Sequence, residues 1–341
     1  MRHVLLLITI ISLTGCRSAP EVLRLNGETM GTTYSVTAID PTGELELSAV
    51  QGAVDETLAR VNAQMSNWDP NSEISRFNAA QTTEPIEISP ELYEVIELAQ
   101  EVHMFSDGQF DLTLGPLIEL WGFGERTAES PVPSAEAIEA ALAITGQSDT
   151  LTLEAAPARL TKAFPETTVY LAAIAKGYGV DAVAATLAGL GVENYLVEIG
   201  GDLITAGTNP DGRPWRIGIE RPELASQRIE QLVDISGLAM ATSGDYRNFF
   251  EEDGVRYSHI IDAQTGRPIT HSTASVTVLA GDAMSADAWA TALLVLGAER
   301  GMALSLRLDL AVYFIERDTT SEELAFITRA SPAFEALEVA Q

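Results

Sequence analysis

Residues 177–201 read GYGVDAVAATLAGLGVENYLVEIGG and combine two kinds of secondary structure. Apolar side chains recur three or four residues apart, which is the spacing of one face of an amphipathic helix: Val180, Val183, Leu187 and Leu190. The apolar run Tyr195–Ile199 that follows predicts a buried strand, which two glycines end. The stretch therefore predicts one helix and one strand in close succession.

Helices and strands alternate irregularly along the rest of the chain. Amphipathic spacing predicts further helices over residues 50–65, 90–105, 135–144 and 283–296. Strand patterns fall over residues 33–39, 215–219, 275–279 and 310–315. Because these elements follow no strict βαβ rhythm, we expect an α+β fold. We expect one domain over residues 29–341, in which the loop at 125–134 is a weak candidate boundary.

The composition is that of a folded, acidic protein. The 341 residues carry 20 Lys and Arg against 49 Asp and Glu, so the net charge is -29. An apolar fraction of 46% argues against a disordered acidic chain. Because nucleic-acid backbones would be repelled, we expect no nucleic-acid partner, whereas divalent metals remain compatible with the charge. A single cysteine rules out a disulfide framework and a cysteine-based zinc site.

The N-terminus has the pattern of an export signal. The apolar run Val4–Leu13 is too short to span a bilayer, for which a helix needs about 20 residues. Residues 13–16 read LTGC and resemble the lipobox of bacterial lipoproteins. We expect removal of residues 1–15, lipidation of Cys16, and a tether over residues 16–28 on the periplasmic side of a bacterial membrane. An ordinary signal peptide with an incidental cysteine is the alternative, and the choice between inner and outer membrane stays open.

Several common cofactor and nucleophile motifs are missing from the sequence. It contains no G-x-x-x-x-G-K-[ST], no G-x-G-x-x-G at a strand end, no H-x-x-x-H pair and no G-x-S-x-G. A P-loop, a Rossmann nucleotide site, a zinc pair and a serine-hydrolase nucleophile are therefore not supported.

Residues 285–291, SADAWAT, hold a candidate metal site. In a helix, Asp287 and Thr291 are one turn apart on the same face, where a carboxylate, a hydroxyl and backbone oxygens suit Mg²⁺. The alternative is that Asp287 is the N-terminal cap of its helix, and spacing alone favours the cap.

Three further polar or aromatic groups are candidates for binding or catalysis. His259 follows a predicted strand and suits a base near neutral pH, although a lone histidine is more often a hydrogen-bonded structural residue. Lys176 begins a helix among small residues, as an anion site requires, or the glycines there serve close packing. Trp68 and Trp121 suit stacking on a planar ring, or they are core and surface anchors.

In order and number, these clusters and their neighbours resemble the ApbE family, the FAD:protein FMN transferases. The resemblance covers most of the chain from Met30 to about Gly297. The matching blocks are MGTTY (30–34), MSNW (65–68), SEISRFN (72–78), DGQFD (107–111), GPL (115–117), AIAKGY (173–178), EIGGD (198–202), SGDY (243–246), HIID (259–262), TG (265–266) and DAWATAL (287–293).

The resemblance implies both a fold and a reaction. The fold would be of the tunnelling type, with mixed helices and antiparallel sheets. The reaction would be Mg²⁺-dependent transfer of FMN from FAD to a threonine hydroxyl in a D-G-x-T-[ST]-A-T segment of an acceptor protein, with a phosphoester as product and AMP released. Acceptors in this family are flavoprotein subunits of membrane redox complexes.

The resemblance also assigns roles to residues. Those that would line the FAD site are Met30, Trp68, Gln109, Phe110, Asp111, Tyr170, Lys176 and Ile261. The metal ligands would be Asp287 and Thr291 with the backbone oxygens of Ala173 and Ala290. The catalytic residues would be His259, Lys176 and Asp287.

Tyr170 departs from the family pattern, which usually has an aspartate that contacts the adenosine part of FAD. This departure keeps two alternatives open: an FAD pyrophosphatase that releases FMN and AMP, and a flavin-binding lipoprotein without catalysis. The oligomeric state is not readable from the sequence.

Overall fold

A computed structural model describes residues 21–123, 131–223, 228–321 and 324–339 of the chain. The predicted export signal, Cys16 and the first residues of the predicted tether lie outside the described residues. Residues 125–130 of the predicted boundary loop also lie outside them.

The structure consists of short strands and longer helices. In chain order, the strands are β1 (Glu21–Thr29), β2 (Thr32–Asp40), β3 (Ile86–Glu87), β4 (Leu151–Ala155), β5 (Ala158–Lys162), β6 (Asn194–Ile199), β7 (Asp202–Ala206), β8 (Trp215–Glu220), β9 (Ile229–Ile235), β10 (Ala239–Gly244), β11 (Phe249–Glu252), β12 (Val255–Ser258), β13 (Ile261–Asp262), β14 (Arg267–Pro268), β15 (Thr273–Ala280), β16 (Ala311–Arg317) and β17 (Phe326–Ala330). The helices are α1 (Leu47–Met65), α2 (Glu73–Ala79), α3 (Pro90–Phe105), α4 (Gly115–Leu120), α5 (Ala135–Leu142), α6 (Gln147–Thr150), α7 (Ala175–Gly189), α8 (Ala283–Leu308) and α9 (Pro332–Val339).

The largest sheet has the strand order β1-β2-β6-β7-β10-β15-β16-β17. Each neighbouring pair in it is antiparallel, and the register places Tyr34 of β2 opposite Ile199 of β6. The end of β6, the start of β7 and the end of β10 therefore lie at the same end of the sheet. This architecture confirms the predicted α+β class with mixed helices and antiparallel sheets. The tunnelling-fold comparison stays a prediction.

One face of this sheet is covered by α1, α7 and α8, and together they enclose the larger hydrophobic core. α1 contributes a buried stripe that includes Val50, Val54, Leu58 and Val61, as its amphipathic spacing predicts. Ser89 is the N-terminal cap of α3, since its hydroxyl accepts a hydrogen bond from the Leu92 amide, and Pro90 lies in the first turn. The other face of the sheet packs against α9 and the β8–β9 hairpin.

The predicted tether is wrong over residues 21–28. These residues form most of β1, which pairs with β2 from Glu21 to Thr29. Leu23 and Leu25 are buried while Arg24 and Asn26 are exposed, so the stretch has the two-residue alternation of a half-buried strand. The alternating pattern was present in the sequence, but it lies directly after the predicted export signal.

α8 changes direction at Gly297, one residue after the predicted end of the helix. Gly297 has φ 75° and ψ 166°, outside the helical region, and a Cβ there would lie 2.9 Å from the His271 ring. The amide of Ala298 donates to the Thr273 hydroxyl instead of continuing the helical pattern. No helix in the described part of the chain is long and apolar enough to cross a membrane.

Candidate functional site

A cavity of about 340 Å³ lies beside the starts of α7 and α8 and the end of β10. Ten of the predicted site residues line it, although they come from four separate parts of the sequence. They are Gln109, Phe110, Asp111, Tyr170, Ala173, Lys176, His259, Ile261, Asp287 and Thr291.

Three predicted site residues lie elsewhere among the described residues. Met30 lines a separate surface pocket at the β1–β2 turn. Trp68 lines a neighbouring cavity of about 1170 Å³, and its side chain is 65% exposed. Ala290 is fully buried inside α8 and is not part of the cavity lining.

Three charged residues near the starts of α7, β7 and α8 form what we call the charged cluster: Lys176, Asp202 and Asp287. The Lys176 ammonium donates to Asp202 and lies 3.1 Å from both carboxylate oxygens of Asp287. Burial alone would lower the pKa of Lys176, but the two carboxylates offset it, so the pKa is raised and the ammonium stays charged. Burial, together with the charge of Asp287, raises the pKa of the Asp202 carboxyl.

Asp202 was not assigned a role by sequence reasoning. It belongs to the EIGGD block, and the turn at Gly200 and Gly201, both with positive φ, brings it to the start of β7. The signal was a carboxylate directly after a glycine pair at a strand end. Its partner Lys176 lies far away in sequence, so the pairing itself could not be read from the pattern.

Asp287 is not the N-terminal cap of its own helix. That position belongs to Asp282, whose carboxylate accepts from the Ser285 amide and hydroxyl. Asp287 instead accepts a hydrogen bond of 3.1 Å from the amide of Gly177, in the first turn of α7. The cap interpretation therefore names the wrong helix, because the partner amide is distant in sequence.

The oxygen atoms around Asp287 fit a hard cation. Thr291, one turn further along α8, shares a 3.0 Å hydrogen bond with Ser243, and Ala173 lines the same cavity. Carboxylate, hydroxyl and carbonyl oxygens are the ligands that Mg²⁺ prefers. The described residues contain no group of three or more His, Cys, Asp or Glu placed to hold a metal. A cation here would therefore need hydroxyl and backbone oxygens besides Asp287.

The His259 ring is held in one tautomer. Its Nδ1 lies 3.0 Å from the backbone oxygen of Asn248, and because a carbonyl only accepts, Nδ1 carries the proton. Nε2 of the neutral ring is then free to accept a proton. Burial lowers the pKa of His259, so the ring is neutral at pH 7.

The loop that holds His259 is fixed by a buried carboxylate. Asp245 receives hydrogen bonds from the guanidinium groups of Arg256 and Arg317, at 2.8 and 2.9 Å to the same oxygen. Because Asn248 is three residues after Asp245, this cluster anchors the carbonyl that orients His259.

We call residues 109–111 the Gln109 loop. Its backbone is fixed: the Phe110 oxygen lies 2.7 Å from His103 Nδ1, and the Asp111 carboxylate accepts from the amides of Thr113 and Gln147. Asp111 therefore holds the loop itself together. By contrast, the Gln109 side-chain amide is 1% exposed, and neither its oxygen nor its nitrogen has a partner among the described residues.

The predicted aromatic residues divide into core and surface. Trp121 is fully buried, and its indole N–H donates to the Gly266 oxygen at 2.8 Å, so it is a core residue. Trp68 meets Tyr170 edge to face, with ring centroids 6.3 Å apart. Tyr170 lines both the 340 Å³ cavity and its larger neighbour, and so stands between them.

The comparisons with known proteins agree with one another. The model of the ApbE family matches residues 30–314. The FAD:protein FMN transferase of Vibrio cholerae is 46% identical over 88% of this chain and 89% of its own length. The protein of the same name from Haemophilus influenzae is 40% identical over 96% of this chain and 94% of its own. The solved flavin transferase ApbE from Vibrio cholerae superposes with a TM-score of 0.84, 43% identity, and coverage of 93% of this chain and 99% of the other.

The fold, the cavity and these relatives define a transferase enzyme. The chain belongs to the ApbE family, and the family predicted from the sequence blocks is confirmed.

Proposed function

We propose that this protein is a Mg²⁺-dependent enzyme that transfers FMN from FAD to a threonine hydroxyl of an acceptor protein. The observation that carries the proposal is the convergence of three kinds of group on one cavity. These are the charged cluster, a neutral histidine whose Nε2 can accept a proton, and a buried amide that has no partner among the described residues. Donor and protein acceptor are those in the names of the relatives.

The Gln109 loop is suited to the flavin part of FAD. A buried amide without a partner is costly, by about 1–3 kcal/mol, unless a ligand supplies its hydrogen bonds. The edge of a flavin ring carries both donors and acceptors, and Phe110 and Ile261 provide apolar lining beside Gln109. A volume of about 340 Å³ falls within the range of small-ligand pockets.

His259 is suited to be the general base. The acceptor hydroxyl oxygen attacks the FMN phosphorus, and its proton passes to Nε2 of His259. The bond between that phosphorus and the oxygen leading to AMP breaks, and AMP leaves with the electron pair. FMN is then joined to the threonine by a phosphoester. The Asn248 carbonyl keeps the Nδ1 proton in place while Nε2 reacts.

The charged cluster is suited to the pyrophosphate. Asp287, Thr291 and the backbone oxygen of Ala173 would hold Mg²⁺, which when bound supplies Lewis-acid stabilisation of phosphate charge. Lys176 keeps its positive charge because Asp202, which accepts a hydrogen bond from its ammonium, is a counter-ion that favours the charged form. In a chain of net charge -29, Lys176 and a bound Mg²⁺ together would outweigh the charges of Asp202 and Asp287 and make room for an anionic donor.

The reaction test uses the mature protein with FAD, MgCl₂ and an acceptor that carries a D-G-x-T-[ST]-A-T segment. We expect flavin fluorescence in the denatured acceptor band, with one AMP released per flavin attached. An acceptor with valine in place of the target threonine is the matched control and should stay unlabelled. AMP and free FMN without a labelled acceptor would identify a pyrophosphatase instead. Bound FAD without any product would identify a flavin-binding protein.

The location is a separate proposal, and it rests on the sequence of residues 1–16. We propose that Cys16 is lipidated and holds the enzyme on the periplasmic side of a bacterial membrane, where flavoprotein subunits of membrane redox complexes are its acceptors. Cys16→Ala should move the protein from the membrane fraction to the soluble fraction. A wild-type protein that is already soluble would contradict the anchor.

A further inference from the structure

Two carboxylates join α7 and α8 reciprocally, each on one helix and each accepting from the start of the other. Asp181 of α7 accepts from the Ala283 amide through one oxygen and from the Met284 amide through the other, both at 2.8 Å. In return, Asp287 of α8 accepts from the Gly177 amide at 3.1 Å. Each helix therefore satisfies free amides in the first turn of its neighbour.

The two helices are in backbone contact where these bonds form. A Cβ on Gly177 would lie 2.2 Å from the Ala283 carbonyl oxygen, so only glycine fits there. The glycine beside Lys176 is therefore required for close packing, and its packing partner is α8. At such a distance, any shift of α8 along α7 would disturb Asp287 and Lys176 together.

Asp181 is not needed to begin α8, because that helix has an ordinary cap in Asp282. Asp181 also does not line the cavity. What its bidentate contact adds is the position of the first turn of α8 relative to α7. Asp287 follows within that same helix, so the contact sets where its carboxylate lies with respect to Lys176 and Ala173.

We propose that Asp181 is a positioning residue of the active site, which fixes the start of α8 against α7 and thereby places Asp287 for the metal. It acts through the backbone of Ala283 and Met284 and touches neither FAD nor the cation. The inference rests on the proposed function, since its effect on chemistry passes through the Asp287 metal site.

The test compares Asp181→Ala with Asp282→Ala, which removes the ordinary cap of the same helix terminus. Two quantities are measured on the whole protein: hydrogen exchange of the Gly177 amide without ligand, and Mg²⁺ affinity of the FAD-loaded protein by calorimetry. Asp181→Ala should speed the exchange and weaken Mg²⁺ binding at least tenfold each. Asp282→Ala should change both less than threefold even where it lowers the melting temperature as much. Asp181→Asn should fall between them, because its amide keeps one acceptor oxygen for two N–H groups.

Equal effects of the Asp181 and Asp282 variants would reduce Asp181 to an ordinary cap and overturn the inference. Unchanged Gly177 exchange in Asp181→Ala would overturn it as well. Absence of Mg²⁺ binding to the wild type would instead overturn the metal in the proposed function, while the exchange data still decide on Asp181. Where Asp181→Ala fails to fold, the same comparison is made with Asp181→Asn, and exchange equal to that of the wild type would overturn the inference.

Discussion

Lys176 and Asp287 of the charged cluster line the same cavity as the Gln109 loop, but the two regions differ in how their polar atoms are satisfied. In the charged cluster, Lys176 bonds to both carboxylates and Asp287 also holds the start of α7. In the Gln109 loop, the backbone is fixed, yet the buried side-chain amide has no partner among the described residues. The charges of the charged cluster thus have partners before any ligand arrives, and removing one of them leaves the others unpaired, whereas the Gln109 amide lowers stability until a ligand binds. Substitutions in the charged cluster should therefore lower both stability and activity, whereas substitution of Gln109 should weaken FAD binding without lowering stability.

The largest loss of activity should come from Asp287→Asn. It keeps the side-chain shape but removes the charge that faces Lys176 and the proposed metal. We expect FMN transfer to fall about a thousandfold, as when a main electrostatic stabiliser is lost, together with reduced stability. The rate is measured by flavin fluorescence of the acceptor, with Asp282→Asn as the matched control. Activity within tenfold of wild type would contradict the metal assignment.

His259→Gln should have the next largest effect. Loss of a general base costs about a hundredfold or more in rate, and FAD affinity should stay the same because the ring serves the chemical step. Burial lowers the pKa of His259, so the wild-type rate should rise with pH through an inflexion below about 6.5 and then level off. The variant should lack this inflexion. Rate profiles from pH 5 to 8 check it, and an unchanged inflexion would assign the base to another group.

Gln109→Leu should affect binding and stability in opposite directions. A leucine at position 109 has no polar atoms that need a partner, so the ligand-free protein should melt at an equal or higher temperature. FAD should bind about tenfold more weakly, because the hydrogen bonds to the flavin are lost. Thermal melting and FAD titration measure the two effects. A lower melting temperature without ligand would show that the amide has partners in solution.

The smallest effect on activity is expected at Asp40, a carboxylate that is satisfied in the same way as the charged cluster but does not line the cavity. It accepts from the amides of Thr42 and Leu45, and these bonds overcome the effect of burial and lower the pKa of Asp40 to about 2. A lowered carboxyl pKa stabilises the fold above the unfolded value of about 3.9, and that stability is lost as pH falls toward 2.

Asp40→Asn should therefore cost about 1 kcal/mol at neutral pH and much less near pH 2, while FMN transfer is unchanged. Denaturant melts at both pH values measure it. A loss of FMN transfer in this variant would mean that a hydrogen-bonded carboxylate outside the cavity also affects activity. The loss of activity in Asp287→Asn would then not be specific to the charged cluster.

The sequence predicted the elements well where one local pattern decides them. The spacing of Val50, Val54 and Leu58 predicted α1, and Pro90 marked the start of α3. Most of β1 was predicted to be tether, although Leu23 and Leu25 alternate with polar neighbours, because its position after the predicted export signal outweighed a short pattern.

Long-range contacts explain what the sequence could not give. The bonds from Asp181 to Ala283 and from Lys176 to Asp202 join residues far apart in the chain, and no local spacing reports them. For the same reason, spacing alone favoured Asp287 as the cap of its own helix, whereas its carboxylate accepts from an amide in the first turn of α7. Most residues that the resemblance assigned to the site line one cavity in the structure. Trp68, which it also assigned, lines the neighbouring cavity.

The position of β1 sets how far the enzyme can reach. Between the proposed anchor at Cys16 and the first residue of β1, Glu21, the connecting chain would extend at most about 18 Å, at about 3.6 Å per residue. This connecting segment is shorter than the hydrocarbon core of a bilayer is thick, which is about 30 Å. We expect the enzyme to stay close to the membrane surface and to modify threonines that lie near it. Acceptor segments far from the bilayer should not be modified.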